Sequence, residues 1–140
     1  MEKIIVYRSI LGSSKRYAYW LGEKLKIRVV KFNKVKKEEL EEAKEIILVG
    51  GTYVGWMSLS GFIRKNWKYL KGKKLVMADV GLAKEKSEEN KEAWEKLPIE
   101  FREEAKMFKI AGKIGRMNEE NVKEENLNKV EEAVVSRRRN

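Results

Sequence analysis

The side chains able to do chemistry in this chain are hydroxyl, aromatic and charged groups, because its 140 residues include no cysteine and no histidine. Disulfides, thiolate metal sites and cysteine nucleophiles are therefore excluded. The imidazole ring, the commonest general base and metal ligand of proteins, is missing as well. Any redox chemistry must therefore come from a bound cofactor.

A segment of small and hydroxyl residues after the first apolar run is the first candidate binding element. This serine loop (residues 9–14) reads Ser9-Ile10-Leu11-Gly12-Ser13-Ser14, and a helix-period segment follows at once. Exposed backbone N–H groups and serine hydroxyls at a helix N-terminus can bind a phosphate without a metal. The alternative is a plain capping turn in which Ser13 or Ser14 is the N-cap residue.

Three other phosphate-handling sites do not match the sequence. The serine loop has a single glycine, Gly12, and fits neither G-x-x-x-x-G-K-[ST] nor G-x-G-x-x-G. A phosphorylated receiver domain needs acidic residues after its first strand and an aspartate after its third. This chain has Tyr7-Arg8 and Gly50-Gly51 at those places, so phosphotransfer of that type is excluded.

Two glycine-bearing loops form the second candidate element. The aromatic loop (residues 50–56) reads Gly50-Gly51-Thr52-Tyr53-Val54-Gly55-Trp56, and the next strand ends in Asp79-Val80-Gly81-Leu82-Ala83. Glycine lets the backbone approach a flat ligand closely, and aromatic rings can stack on it. In the alternative, Trp56 packs on the next helix and Tyr53 on a neighbour. Asp79 is expected to be the only carboxylate close to this edge and to fix the loop rather than react.

Short apolar runs alternate with helix-period segments, which predicts an α/β domain with a mainly parallel sheet. The predicted strands are residues 3–7, 27–32, 45–50, 74–80 and 106–111. The predicted helices are residues 14–25, 36–43, 58–70, 87–97 and 119–137. One domain over residues 1–140 suits a doubly wound sheet of strand order 2-1-3-4-5 with helices on both faces. Its ligands bind at the carboxyl edge, between strands 1 and 3.

The formal net charge is +10, and all of the excess lies in residues 1–80, which hold 18 basic and 8 acidic side chains against 14 of each in the remainder. A lysine-rich surface typical of a thermophile explains this, and so does an acidic partner protein, an anionic cofactor, nucleic acid or a membrane surface. No apolar run reaches the length of a membrane span, and the N-terminus shows no signal pattern, so a cytoplasmic protein is expected. Residues 136–140 are expected to be a disordered basic tail.

Four segments together carry a resemblance to a known family. They are Tyr7-x-Ser9-x-x-Gly12-x-Ser14 with Tyr17-Ala18 after it, Gly50-Gly51-Thr52-Tyr53-Val54-Gly55, Lys71-Gly72-Lys73-Lys74-Leu75, and Pro98-Ile99-Glu100-Phe101-Arg102-Glu103. Over about residues 1–115 the chain resembles the flavodoxin family. It is most similar to the short flavodoxin-domain proteins that include the flavodoxin-type protoporphyrinogen oxidases. Ser14 stands where threonine is usual, and the chain is basic where many flavodoxins are acidic.

The resemblance implies a flavodoxin-like fold, non-covalently bound flavin mononucleotide (FMN) and electron transfer. The phosphate would lie on the serine loop, and the ring between the aromatic loop and the loop after strand 4. The residues implied to contact FMN are Ser9, Ile10, Leu11, Gly12, Ser13, Ser14, Thr52, Tyr53, Val54, Gly55, Trp56, Gly81 and Leu82. Two alternatives stay open: an oxidoreductase acting on a porphyrinogen or quinone-like substrate, and a flavin-free basic module that binds nucleic acid or an anionic surface.

Overall fold

The computed structural model describes residues 2–53, 55–81, 87–113 and 119–136. A six-stranded sheet forms the centre of the fold. Its strands are β1 (Lys3–Arg8), β2 (Arg28–Lys31), β3 (Glu45–Tyr53), β4 (Trp56–Met57), β5 (Lys74–Gly81) and β6 (Lys106–Ala111). The parallel strands follow the order β2-β1-β3-β5-β6. These are the five predicted strands in the predicted order, so the doubly wound fold is confirmed.

The two faces of the sheet bury alternate residues of the same strands, because side chains of a strand point to opposite sides in turn. Ile46 and Leu48 of β3 join one core, and Ile47 and Val49 join the other. All four side chains are buried, which explains why β3 is a near-continuous apolar run.

Seven α-helices within the described ranges cover these faces. They are α1 (Ser13–Leu25), α2 (Lys37–Glu42), α3 (Ser60–Lys65), α4 (Trp67–Leu70), α5 (Glu88–Glu95), α6 (Ile99–Glu104) and α7 (Asn128–Ser136). Helices α1 and α7 share one core, and α2 to α6 pack into the other. No helix in the described ranges is long and apolar enough to cross a membrane.

Four features depart from the predicted elements. The predicted helix 58–70 is divided at Asn66, whose side-chain amide donates to the carbonyl of Phe62 and competes with the helical pattern. Helix α6, which begins after Pro98, was not predicted. The predicted helix 119–137 begins with 3₁₀ turns over Glu119–Asn121 and Glu124–Leu127, and α7 follows. Strand β4 is a short antiparallel addition to β3.

The face covered by α1 is closed by a contact between distant parts of the chain. The Tyr17 hydroxyl of α1 donates to the carbonyl of Ala111 at 2.6 Å and accepts from the Asn126 side-chain amide at 2.9 Å. Val130 and Val134 of α7 complete the same core. Helix α1, the end of β6 and the segment leading into α7 are thus joined at one hydroxyl.

Candidate cofactor site

The serine loop connects β1 to α1 at the carboxyl edge of the sheet. Gly12 adopts the left-handed conformation (φ 96°) and is the N-cap of the 13-residue helix α1. The Ser9 hydroxyl accepts from the backbone N–H of Gly12 at 3.1 Å and stabilises the turn. Ser13 and Ser14 lie inside the helix, so the alternative in which either serine is the N-cap residue is wrong.

The hydroxyl of Ser13 is the feature of this loop that points to a ligand. Ser13 is buried, and its Oγ has no hydrogen-bond partner within the described chain. Leaving such a donor unpaired is costly, and buried polar groups are normally paired. An unpaired hydroxyl, the free N–H groups at the start of a helix and its dipole together form a donor set that fits a phosphate.

The aromatic loop turns back on itself as a hairpin between β3 and β4. Thr52 pairs with Met57 and Tyr53 with Trp56, and the two aromatic ring centroids lie 6.2 Å apart. The Tyr53 ring folds over Gly51, where an added Cβ would lie only 2.5 Å from the phenol oxygen. Trp56 remains 40% exposed. Glycine at position 51 is therefore needed for the close approach of the Tyr53 ring.

Tyr53 connects the aromatic loop to the serine loop. Burial raises the pKa of its hydroxyl, although a hydrogen bond with the backbone of Ile10 and the charge of Arg8 act in the opposite direction. The phenol is therefore neutral at physiological pH, and the two candidate loops are in direct contact. Ile10 and Leu11 leave their side chains exposed beside this contact.

Asp79, at the end of β5, joins several elements beneath the site. It is fully buried and accepts hydrogen bonds from the Thr52 hydroxyl and, at 2.6 Å, from the Trp94 indole N–H. Lys109 Nζ of β6 lies 3.4 Å from the Asp79 carboxylate, and that lysine side chain is 8% exposed. These contacts are those expected of a residue that fixes the loop.

Helix α5 and the residue after it bring two charged side chains to this edge that were not predicted. Lys96, just after it, donates to the carbonyl of Gly55 at 3.0 Å and lies 3.6 Å from Glu92. The Glu92 carboxylate would be 3.0 Å from a Cβ at Gly55, so Asp79 is not the only carboxylate at the edge. Nothing local to α5 indicates where it docks. The sequence does single out Lys109, because a charged residue inside the apolar strand β6 indicates a buried partner of opposite charge.

The side chain of Arg8 packs against the aromatic loop. Its guanidinium lies 4.6 Å from the Phe32 ring centroid and 5.4 Å from that of Trp56, and it donates to the carbonyl of Ser58 at 3.0 Å. Cation–π contacts of this kind fix both the cation and the ring. Arg8 and Tyr53 both contact Trp56 and together limit the orientation of its ring.

The structure brings most of the implied contact residues together at one edge. Gly81 reaches the aromatic loop, since a Cβ there would be 3.0 Å from the carbonyl oxygen of Thr52. Val54 and Leu82 lie outside the described residues. No group of acidic side chains in the described ranges could hold a metal ion.

The comparisons with known proteins agree with this fold. A family model described as "Flavodoxin domain" matches residues 4–133. The chain belongs to the flavodoxin domain family. The narrower resemblance to protoporphyrinogen oxidases is not supported by this match. No curated protein sequence matches the chain.

Solved flavodoxin structures have the same fold. A flavodoxin from the domain Archaea is 21% identical with a TM-score of 0.62, over 97% of this chain and 95% of its own. Oxidised flavodoxin 2 from Bacillus cereus is 21% identical with a TM-score of 0.64, over 98% and 99%. Flavodoxin from Fusobacterium nucleatum, solved bound to flavin mononucleotide, is 16% identical with a TM-score of 0.62, over 99% and 98%.

Proposed function

We propose that this flavodoxin-domain protein binds FMN non-covalently at the carboxyl edge of its sheet and serves as an electron-transfer protein. The observation that carries the proposal is the buried, unpaired hydroxyl of Ser13 at the start of α1, beside the left-handed Gly12. When bound, FMN supplies the capacity to accept and donate electrons, which this chain's side chains lack.

The serine loop would bind the phosphate of FMN. Ser13 Oγ would donate the hydrogen bond that it does not make within the described chain, and the backbone N–H of Leu11 would add a donor, whereas the backbone of Ile10 is engaged by Tyr53. The Ser9 hydroxyl already accepts from Gly12 and keeps the loop in shape. Charge-assisted hydrogen bonds to a phosphate are stronger than neutral ones, so this loop would provide much of the affinity.

The aromatic loop would hold the flat ring system. Trp56 presents an exposed face that Arg8 and Tyr53 keep in one orientation. Thr52 is engaged by Asp79, so its hydroxyl orients the loop rather than the ligand. The backbone of Gly55 and Gly81 would border the ring. The family resemblance implies that Val54 and Leu82 would contact the ring as well.

An acidic redox partner fits the surface around this edge. The exposed apolar side chains of Ile10, Leu11 and Trp56 lie at the edge, and Lys15 and Arg16 project from the first turn of α1. A small apolar centre with a positive border suits a transient partner whose border is negative. A cytoplasmic location and a thermophilic source remain predictions.

The visible absorption spectrum of the purified protein, recorded before and after FMN is added and unbound FMN is removed by desalting, tests the proposal. We expect retained flavin bands and quenched flavin fluorescence. Ser13→Ala should weaken FMN binding about tenfold to a hundredfold, as expected for a hydrogen bond to a charged group. Ser136→Ala is the matched control, because Ser136 ends α7 at the opposite edge of the sheet, where Lys3 at the start of β1 donates to the carbonyl of Val134.

Two outcomes would count against the proposal in different ways. A wild-type protein that releases all FMN on desalting would refute the cofactor, and salt-sensitive binding of nucleic acid by that protein would favour the basic-module alternative. Equal FMN affinity in wild type and Ser13→Ala would refute the assigned phosphate contact alone.

One observation favours the oxidoreductase alternative as a second candidate. Glu92 is an exposed carboxylate beside Gly55, where it could move a proton at the edge of a bound flavin. In an electron carrier, Glu92→Gln should leave the rate of electron transfer to a one-electron acceptor unchanged. In an oxidoreductase, the same variant should lose the pH dependence of turnover with a quinone.

A further inference from the structure

A second pocket lies beside the candidate cofactor site and is separate from it. It has a volume of about 450 Å³ and is formed by the end of β1, the turn after β2, and α3. None of its lining residues is among those implied to contact FMN. Its walls include Arg8, Phe32, Asn33, Val35, Phe62 and Lys65. We propose that this pocket binds a small planar anion, an aromatic ring that bears a carboxylate or sulfonate.

The charged groups of the pocket are both positive. Arg8 and Lys65 line it together with no acidic residue. No carboxylate in the described ranges forms an ion pair with either of them. Two cations brought to one concave surface without a counter-charge favour an anionic occupant and disfavour a cationic one.

Arg8 is held in position before any ligand arrives. Its guanidinium lies over the Phe32 ring at 4.6 Å, and one of its nitrogens donates to the carbonyl of Ser58. A guanidinium carries five N–H groups, so further donors remain for an anion after this bond is made. A preorganised arginine loses little side-chain freedom when it binds a carboxylate or sulfonate.

The remaining walls suit an aromatic ring. Phe32, Val35 and Phe62 are each half-buried and border the pocket. Ligand pockets typically combine apolar walls with a few polar groups that fix orientation, and this volume is in their usual range. The apolar side would hold the ring while Arg8 and Lys65 bind the acidic group, so the fit requires both parts in one molecule.

The pocket and the cofactor site share a border without sharing lining residues. The Arg8 guanidinium contacts both the pocket ring Phe32 and Trp56 of the aromatic loop, whose ring centroid lies 5.4 Å away. A planar anion and FMN should therefore bind at the same time. The inference does not depend on the proposed cofactor, because each of these contacts lies within the protein.

Titration calorimetry with 2-naphthoate as the probe tests the proposal on the full chain, first without FMN and then with FMN in excess. We expect saturable binding of one probe per chain in both conditions. The uncharged analogue 2-naphthalenemethanol should bind at least about tenfold more weakly, as loss of the charged contacts predicts. In NMR spectra, addition of 2-naphthoate should change the backbone amide chemical shifts of Asn33, Gly61 and Asn66 most and leave that of Gly12 unchanged.

Lys65→Gln and Lys68→Gln form a matched pair of variants. Both lysines are exposed, but only Lys65 lines the pocket. Lys65→Gln should weaken 2-naphthoate binding about threefold to tenfold, as expected for one partly exposed charge, and Lys68→Gln should leave it unchanged. Displacement of 2-naphthoate by FMN, equal binding of the uncharged analogue, equal effects of the two variants, or no saturable binding would each overturn the proposal.

Discussion

Asp79→Asn removes one negative charge from beneath the candidate cofactor site while keeping the shape of the side chain. Asp79 is fully buried, and Lys109 Nζ lies 3.4 Å away with its side chain 8% exposed. The amide can still accept from the Trp94 indole, and its NH₂ group can donate to the Thr52 hydroxyl. In this variant Lys109 loses its counter-ion.

The expected loss of stability follows from that unpaired charge. Removing one partner of a buried ion pair costs about 3–5 kcal/mol. Lys109 keeps a hydrogen bond to the Asn90 side-chain oxygen at 3.0 Å, which favours the lower end of that range. We expect the free energy of unfolding to fall by about 3 kcal/mol, or a urea midpoint lower by roughly 1–3 M.

Urea unfolding followed by circular dichroism measures this change. The double variant Asp79→Asn with Lys109→Met provides the comparison, because removing both charges of a buried pair is far less costly than removing one. We expect the double variant to recover at least half of the loss. A single variant that loses under about 1 kcal/mol, or a double variant whose loss equals the sum of the two single losses, would refute the reasoning.

Three further predictions concern the serine loop, the buried Tyr17 and the positive border. Gly12→Ala should lose about 1 kcal/mol of stability, because Gly12 has φ 96°, and should weaken FMN binding. Gly72→Ala, at φ 81° and far from the site, is the control: it should show the same loss in urea unfolding with FMN affinity intact, and equal affinity losses would contradict the prediction. Burial raises the pKa of Tyr17 above 10.0, so its stabilising contribution is complete below pH 10 and declines as pH rises through the folded-state pKa. Tyr17→Phe should therefore show a smaller fall in melting temperature between about pH 9 and 11 than wild type, and an unchanged fall would argue against this assignment. The reduced FMN-loaded protein should reduce ferricyanide, an anion, more slowly as ionic strength rises, and the double variant Lys15→Gln, Arg16→Gln should flatten that dependence in stopped-flow measurements. A salt-independent wild-type rate would contradict a role for the positive border.

The sheet could be predicted from the sequence because its signals are local. Residues 46–49 form an apolar run typical of a strand covered on both faces, and the structure buries all four. The serine loop could also be predicted, since its small residues lie between the apolar run of a strand and a segment with helical periodicity. The family match over residues 4–133 confirms the fold that these patterns predict.

The parts that could not be predicted depend on contacts between distant residues. Trp94 and Lys109 reach Asp79 from elements that follow it by 15 or more positions, and no pattern within α5 or β6 specifies that meeting. The break at Asn66 depends on a side-chain hydrogen bond that competes with an otherwise regular apolar period. Strand β4, Trp56–Met57, is too short to show the alternation of apolar and polar residues that marks a strand.

The contact between Tyr17, Ala111 and Asn126 also bears on how the chain folds during synthesis. On the ribosome, β1, α1 and β3 emerge long before Val130 and Val134, which complete the core on that face. A nascent chain that stops short of α7 therefore exposes the apolar side of its sheet, although the serine loop and aromatic loop already exist. Chains that stop short of α7 would be targets for chaperones and proteases, and cofactor loading would follow the synthesis of α7.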